Sequence, residues 1–233
     1  MKVAVFSDIH GNLEALISIL NDIKKEKVDE IICLGDVIGI GPNSSECIDL
    51  LIDNDVRNVL GNHDLYFLKG TDIDDEMTID RKKHYEWVTN QIGIKEKEYL
   101  EKCVMKIEKE FNGKKILFEH FLIDYNSKDQ YPFYGLDIID NGEIHNIISN
   151  LDYDLILIGH EHDKFSIDNK LIDIGSSGCV KDDTTFYTVL DTDTLKLDTK
   201  YIKFDRTSFE KKVIDSDYPY KDRLVKEFFG MEI

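Results

Sequence analysis

Five short apolar runs in this chain each end directly in side chains that bind metals. Val3-Ala4-Val5-Phe6 leads to Asp8 and His10, and Ile31-Ile32-Cys33-Leu34 leads to Gly35-Asp36. Val56-Arg57-Asn58-Val59-Leu60 leads to Gly61-Asn62-His63-Asp64. Ile116-Leu117-Phe118 leads to Glu119-His120, and Leu155-Ile156-Leu157-Ile158 leads to Gly159-His160-Glu161-His162. Runs of this length and composition read as buried strands. In open α/β sheets a site lies beyond the carboxyl ends of the strands. The pattern therefore restricts the fold to one in which five strand ends deliver Asp, His and Asn side chains to a single edge. Each motif alone carries little, since Asp8-x-His10 arises by chance and Gly61-Asn62 suits a tight turn. The combination is different. Five of the seven histidines (His10, His63, His120, His160 and His162) follow these runs, and only His84 and His145 do not. Asp36 is the candidate for the centre, because a carboxylate can bridge two cations and a neutral imidazole cannot. Oxygen donors mixed with imidazoles suit divalent Mn, Fe, Zn, Co or Ni.

The stretches between these runs organise the chain. Asn12 is placed to cap a helix whose face is Leu13, Leu16, Leu20 and Ile23, with Ala15 and Ile19 beside it. Asn43 with Glu46 resembles a capping box before a short helix that runs to about Asp53. The first third thus reads β-α-β-α-β, a parallel sheet with helical crossovers. Residues 66–102 break the pattern with an acidic loop and two helices, at 79–92 and 95–102, and read as an insertion beside the site. Asn112-Gly113 predicts a hairpin between 103–111 and 114–119. A long aromatic loop at 121–138 and a helix at about 140–150 follow. Short β runs at 164–168, 170–174, 184–191 and 195–204 suit antiparallel hairpins. Residues 205–233 read as a peripheral helical tail on one domain spanning 1–233.

Charge narrows the partners. Lys and Arg total 29 against 47 Asp and Glu, a net charge of −18. That balance disfavours non-specific nucleic acid and anionic membranes. It leaves a small phosphorylated substrate open, because bound cations invert the local field. No apolar run approaches the ~18 residues a spanning helix needs. The four cysteines form no C-x-x-C pair, and the N-terminus enters a strand at once. A cytoplasmic protein with reduced thiols and no signal peptide is the expectation.

Taken in order, Asp8-x-His10, Gly35-Asp36, Gly61-Asn62-His63-Asp64, His120 and Gly159-His160-x-His162 resemble the motif series of the calcineurin-like metallophosphoesterases. The resemblance runs from residue 2 to about 190. It is closest to the compact bacterial branch of small phosphodiesterases and dinucleoside polyphosphate hydrolases, through Ser7 to Leu16 and Leu34 to Pro42. It implies a four-layer α/β/β/α sandwich of two mixed sheets flanked by helices. It also implies two divalent transition-metal ions. Asp8, His10 and His162 would hold one, Asn62, His120 and His160 the other, and Asp36 both. His63 would act on the phosphate or the leaving group, with Asp64 as its catalytic companion, as a support behind the metal ligands, or as a helix cap. Phe121 stands where the family usually has glycine. The family's glycine-serine loop matches Gly175-Ser176-Ser177-Gly178, and Lys181 is the candidate basic contact to substrate just after it. The function implied is metal-dependent hydrolysis of a phosphodiester or phosphoanhydride, of a small nucleotide. A protein Ser/Thr phosphatase or a non-catalytic scaffold on the same fold is the alternative. The segments 66–102 and 121–138 are expected to flank the metals. There Tyr66, Phe67, Tyr85, Trp87, Tyr125, Tyr131, Phe133 and Tyr134, with Arg81, Lys82, Lys83 and Lys128, would form a wall for a nucleobase.

Overall fold

Side-chain alternation along the strands builds the layers. The computed structural model describes residues 1–74, 77–127, 133, 134, 136 and 141–232. In β1 (Lys2–Phe6), Val3 and Val5 point one way and Ala4 and Phe6 the other, and all four are buried. Ala4 and Phe6 pack under α1 (Leu13–Ile23) and α2 (Ser44–Asp53). Val3 and Val5 join Ile32 and Leu34 around β2 (Glu30–Cys33) in a second core. That core also takes Ile107 from β4 (Lys106–Phe111), Ile116 and Phe118 from β5 (Lys114–Glu119), and Leu155 and Leu157 from β6 (Leu155–Ile158). It is therefore the layer between two sheets. Beyond it, Leu117, Ile156 and Ile158 pack against Ile144 and Ile148 of α6 (Asn141–Asn150). The chain is thus a four-layer α/β/β/α sandwich.

Among the described residues each sheet has five strands and is mixed. The first has the order β10-β9-β1-β2-β3, with β3 (Arg57–Asn58), β9 (Thr184–Asp191) and β10 (Lys196–Lys203). The second has the order β4-β5-β6-β8-β7, with β7 (Phe165–Ile167) and β8 (Leu171–Asp173). β1, β2 and β3 run parallel, as do β5, β6 and β8. All five apolar runs therefore end at one edge, three from one sheet and two from the other. Tight turns close the hairpins: Asn112 and Gly113 have φ of 50° and 77°, and Asp168 and Asn169 have 54° and 51°.

Local departures have local causes. The third run gives only a two-residue strand, and Val59 and Leu60 leave it to pair with Val104. Asn12 caps α1 by accepting from Ala15 N–H at 3.1 Å, as expected. The expected capping box at Asn43 does not form, because its amide donates to Glu46 Oε1 at 2.9 Å instead of accepting from the helix. The 66–102 stretch holds α3 (Asn62–Lys69) from before its start, then α4 (Ile79–Thr89) and α5 (Ile94–Leu100). Two helices follow β10, α7 (Arg206–Asp215) and α8 (Lys221–Phe229). Phe209, Val213, Val225 and Phe229 bury them against Ala15 and Ile40.

Phe118 tests the inter-sheet layer. It is fully buried, so Phe118→Ala should cost about 3–5 kcal/mol. Urea unfolding checks this, and the midpoint should fall while the slope stays unchanged. A loss below ~1 kcal/mol, the range of a surface change, would remove Phe118 from that core.

Candidate metal centre

The loops beyond β1 and β2 continue the strand pairing. Asp8 N–H donates to Gly35 carbonyl at 3.1 Å, and His10 N–H donates to Asp36 carbonyl at 2.9 Å. This fixes the two loops against each other but turns the chain sharply. Asp8, His10 and Asp36 have φ of 53°, 47° and 51°, and His160 and His162 have 78° and 64°. Non-glycine residues seldom adopt this left-handed region, and where they do the surroundings must hold them. Side chains here would alternate outward along a continuing strand. The left-handed turns bring them to one point instead. Two glycines make room. A β-carbon on Gly61 would collide with the Asp36 carboxylate, and one on Gly159 with Ser7 Oγ and Asp8 Oδ2.

The predicted ligands converge. Asp8 Oδ1 lies 3.7 Å from His10 Nε2 and 3.5 Å from His162 Nε2. Asn62 Oδ1 lies 3.1 Å from His120 Nε2 and 2.9 Å from His160 Nδ1. Asp36 Oδ2 stands between these groups, 3.2 Å from His120 Nε2 and 3.7 Å from His10 Nε2. Asp8, His10 and His120 are closed to solvent, while the side chain of His162 is 24% exposed. The cluster therefore opens on the His162 side.

Proton bookkeeping tests whether a cation fits. His10 Nδ1 donates to the Ile38 carbonyl at 3.2 Å, and His120 Nδ1 to the Leu34 carbonyl at 2.7 Å. A neutral ring has one N–H, so both Nε2 atoms carry lone pairs. The lone pair of His120 then faces Asn62 Oδ1 and Asp36 Oδ2, all acceptors. That of His10 faces His162 Nε2 at 3.1 Å. Asp8 Oδ1 is buried and accepts no hydrogen bond. Such a set repels itself unless a positive charge sits within it. The donors are imidazoles and hard oxygens, so they fit divalent metal ions. Without a metal, protons substitute. Burial disfavours the charged His120 ring, but Asp36 and Asp8 outweigh it and push it up to about 9. Burial likewise opposes ionised Asp36, and His120 and His63 outweigh that and hold it well below the usual carboxylate range.

His63 lies at the edge of the cluster. Its Nε2 is 3.9 Å from Asp36 Oδ2, and its ring stands edge-on to His10 at 4.5 Å. Burial holds it neutral, well below the ordinary histidine value, although Asp36 opposes that. Its Nδ1 is 2.6 Å from the Tyr85 hydroxyl. Burial raises the Tyr85 phenol, so it keeps its proton and donates it to Nδ1. His63 therefore carries its own N–H at Nε2, on the cluster side. Tyr85 comes from α4, in the stretch read as an insertion.

Asp64 faces away from the cluster opening. Its Oδ2 accepts from Gly61 N–H and from Asp36 N–H, both at 3.0 Å. It caps α3 and fixes the Asp36 backbone. Burial, then Asp36, push its carboxyl up to about 7. The Gly175–Gly178 loop is likewise a backbone support: Ser177 N–H donates to Ser7 carbonyl and Gly178 N–H to Asp8 carbonyl. Lys181 lies outside the cluster, exposed beside Gly230. Phe121 packs beside the ligand histidines. It is buried against His120, His160 and Phe133, at ring separations of 5.4, 5.6 and 5.3 Å.

Two participants carry no strand-end signal. The Cys179 thiol groups with His10 and His162, their ligand atoms within 4.8 Å of one another. Phe228 of α8 meets the His162 ring at 5.6 Å, so the tail expected at the periphery reaches the site. Of the expected aromatic wall, Tyr85 and Tyr66 adjoin His63, at ring separations of 5.3 and 6.0 Å, and Phe133 adjoins His160 at 5.7 Å. Tyr66 is buried, with its hydroxyl on Asp74. Tyr125 bonds Glu119 and Trp87 bonds Asp217, Lys82 pairs with Asp72, and Phe67 and Tyr134 pack on the cores. Tyr131 and Lys128 lie outside the described residues.

Known proteins resemble this chain in sequence and in fold. The family model described as calcineurin-like phosphoesterase matches residues 1–164. The protein MJ0912 of Methanocaldococcus jannaschii is 35% identical over 165 residues, 70% of this chain and 63% of that protein. A symmetrical bis(5'-nucleosyl)-tetraphosphatase of Erwinia tasmaniensis is 37% identical over 71 residues, 29% of this chain and 26% of that enzyme. The chain therefore matches less than two thirds of the length of either relative. The crystal structure of PH1004 from Pyrococcus horikoshii superposes with a TM-score of 0.80 at 18% identity, over 100% of this chain and 99% of that one, a likeness of fold. No described helix is long and apolar enough to cross a membrane. With the family model matched over well beyond half its length, this chain belongs to the calcineurin-like phosphoesterases, a family of metal-dependent hydrolases of phosphoester bonds.

Proposed function

We propose that this chain hydrolyses a phosphodiester or phosphoanhydride of a small nucleotide, with two divalent transition-metal ions. The observation that carries this is the division of the ligand atoms into two groups joined by Asp36. Asp8, His10 and His162 would hold one ion, and Asn62, His120 and His160 the other, with Asp36 shared. The nucleotide is favoured by the short match to the bis(5'-nucleosyl)-tetraphosphatase. Bound there, such ions supply Lewis-acid charge to phosphoryl oxygens and lower the pKa of a water.

The chain's own groups supply orientation and proton control. Carbonyls of Ile38 and Leu34 fix the tautomers of His10 and His120, leaving Nε2 free for a ligand role. Asp64 holds the Asp36 loop from behind. His63, neutral and oriented by Tyr85, presents an N–H to the oxygen that leaves. The surrounding burial excludes water from these contacts, which strengthens them. We place this activity in the cytoplasm, the setting expected from the unpaired cysteines.

Three outcomes are expected. Divalent metal added to chelated protein should raise its thermal midpoint, since ~100-fold excess over Kd is worth about 2.7 kcal/mol. Asp36→Asn should lose most of that gain, with metal content reduced at both sites. Full two-metal loading of Asp36→Asn by elemental analysis would rule out the shared carboxylate.

His63→Asn should keep its metal yet turn over about 10²–10⁴-fold more slowly. The loss should be greatest for poor leaving groups, and Tyr85→Phe should show a smaller loss with the same trend. Equal losses across leaving groups would count against a role on the leaving oxygen, and lost metal would make His63 a ligand.

The substrate is tested by kcat/KM on one preparation for a dinucleoside polyphosphate, an aryl phosphodiester and a phosphopeptide. The nucleotide should have the lowest KM, because its base supplies binding energy away from the reacting phosphorus. A phosphopeptide preference would make the enzyme a protein phosphatase instead.

A further inference from the structure

One cavity beside the metal cluster has no part in the functions assigned above. It encloses about 360 Å³ between α4 and α8, at the small end of the ~300–1,000 Å³ of ligand pockets. His63 forms its inner wall. Arg81 and Tyr85 of α4 line one side, and Arg223 and Phe228 of α8, with Tyr220 just before it, line the other. The cavity therefore continues from the leaving-group side of the cluster. Because α8 lies beyond residues 1–164, it is outside the part matched by the family model.

His84, on the cavity wall, is 3% exposed, and its ring nitrogens face the Gly39 and Pro219 carbonyls. Two features of this cavity point to a ligand. Tyr220 holds φ at +64°, a conformation that a bulky side chain adopts only under constraint and that clusters at ligand clamps. Arg81 enters no ion pair among the described residues, and Arg223 meets only Glu227, at 3.7 Å. Two guanidinium groups on one cavity wall, with Arg81 bonded there to the Tyr85 hydroxyl, are notable on a chain of net charge −18. Two carboxylates, Asp80 and Glu227, also line the space. The wall is thus mixed: aromatic faces, acceptors for amino groups, and two forks for a phosphate.

We propose that this cavity is the subsite for the nucleotide that leaves, a nucleoside phosphate with an amino-bearing base. Tyr220 and Phe228 offer faces to the base, and Asp80 and Glu227 accept from its exocyclic amino group. Arg81 and Arg223 grip the phosphate. This rests on the reading of His63 as the leaving-group residue. Specificity would then be set by α8 and not by the strand-end motifs.

The test is equilibrium binding of AMP and of ribose 5-phosphate to the full chain with its metals, by calorimetry. AMP should bind at least about tenfold more tightly, through stacking of the base. Arg223→Ala should weaken AMP about 10- to 100-fold, the worth of a hydrogen bond to a charged group. The Arg223 side chain is 80% exposed, so its removal leaves the fold intact. Tyr220→Asn, which tolerates the left-handed backbone, should weaken AMP and leave ribose 5-phosphate unchanged. Equal binding of the two ligands, or wild-type AMP affinity in Arg223→Ala, would overturn the subsite. Turnover separates this from the broader reading. Nucleotide hydrolysis with KM unchanged in Arg223→Ala keeps the phosphoesterase reading and overturns the subsite. Arginine-dependent AMP binding without nucleotide hydrolysis does the reverse.

Discussion

Crowded acceptors at the strand ends are what the rest of this molecule must accommodate. Two carboxylates, an amide oxygen and imidazole lone pairs stand within 4 Å of their neighbours in a buried space. A hydrophobic sandwich would not tolerate this by itself, because an unpaired buried charge costs several kcal/mol. Five of the ligand residues add backbone strain through positive φ. What offsets both is the inter-sheet layer behind them, with Val3, Val5, Ile32, Leu34, Phe118 and Leu157 fully buried. The apolar runs and the polar residues that end them are two halves of one design, in which packing holds the acceptors in place.

The parts legible in the sequence are those encoded locally. Strand runs announce themselves by apolar composition, and Asn112-Gly113 and Asp168-Asn169 announce their turns. The ligand positions were readable because each follows such a run within four residues. The rest depends on partners far along the chain. α8 reads as a peripheral amphipathic helix, since nothing near it reveals that Phe228 will meet His162. His84 follows no strand and stacks on Trp87 in the same helix, so its sequence context suggested only packing. Cys179 sits in a loop whose course is set by hydrogen bonds from Ser177 and Gly178 to the β1 loop, some 170 residues earlier. The capping box at Asn43 failed because two side chains found each other before either found the backbone.

The aromatic wall was half legible for the same reason. Counting rings in 66–102 and 121–138 found the rich segments but not their directions. Tyr85 faces His63 because α4 lies across the β2 loop, where His84 approaches the Gly39 carbonyl. Tyr125 turns the other way to bond Glu119 under Lys106. Composition alone cannot separate two such residues. Only the tertiary course of the chain does so.

The position of β1 governs how the site is assembled in time. It lies between β2, its near neighbour in the chain, and β9, with Lys2 opposite Asp191. The Asp8 loop is also pinned by Ser176, Ser177 and Gly178. A strand made early is thus completed by one made much later. Pairings this distant in sequence close slowly, since the loop entropy is lost before the contacts return it. On a ribosome, the β1-β2-β3 half would present its ligand loops while the residues that complete the coordination were still unmade.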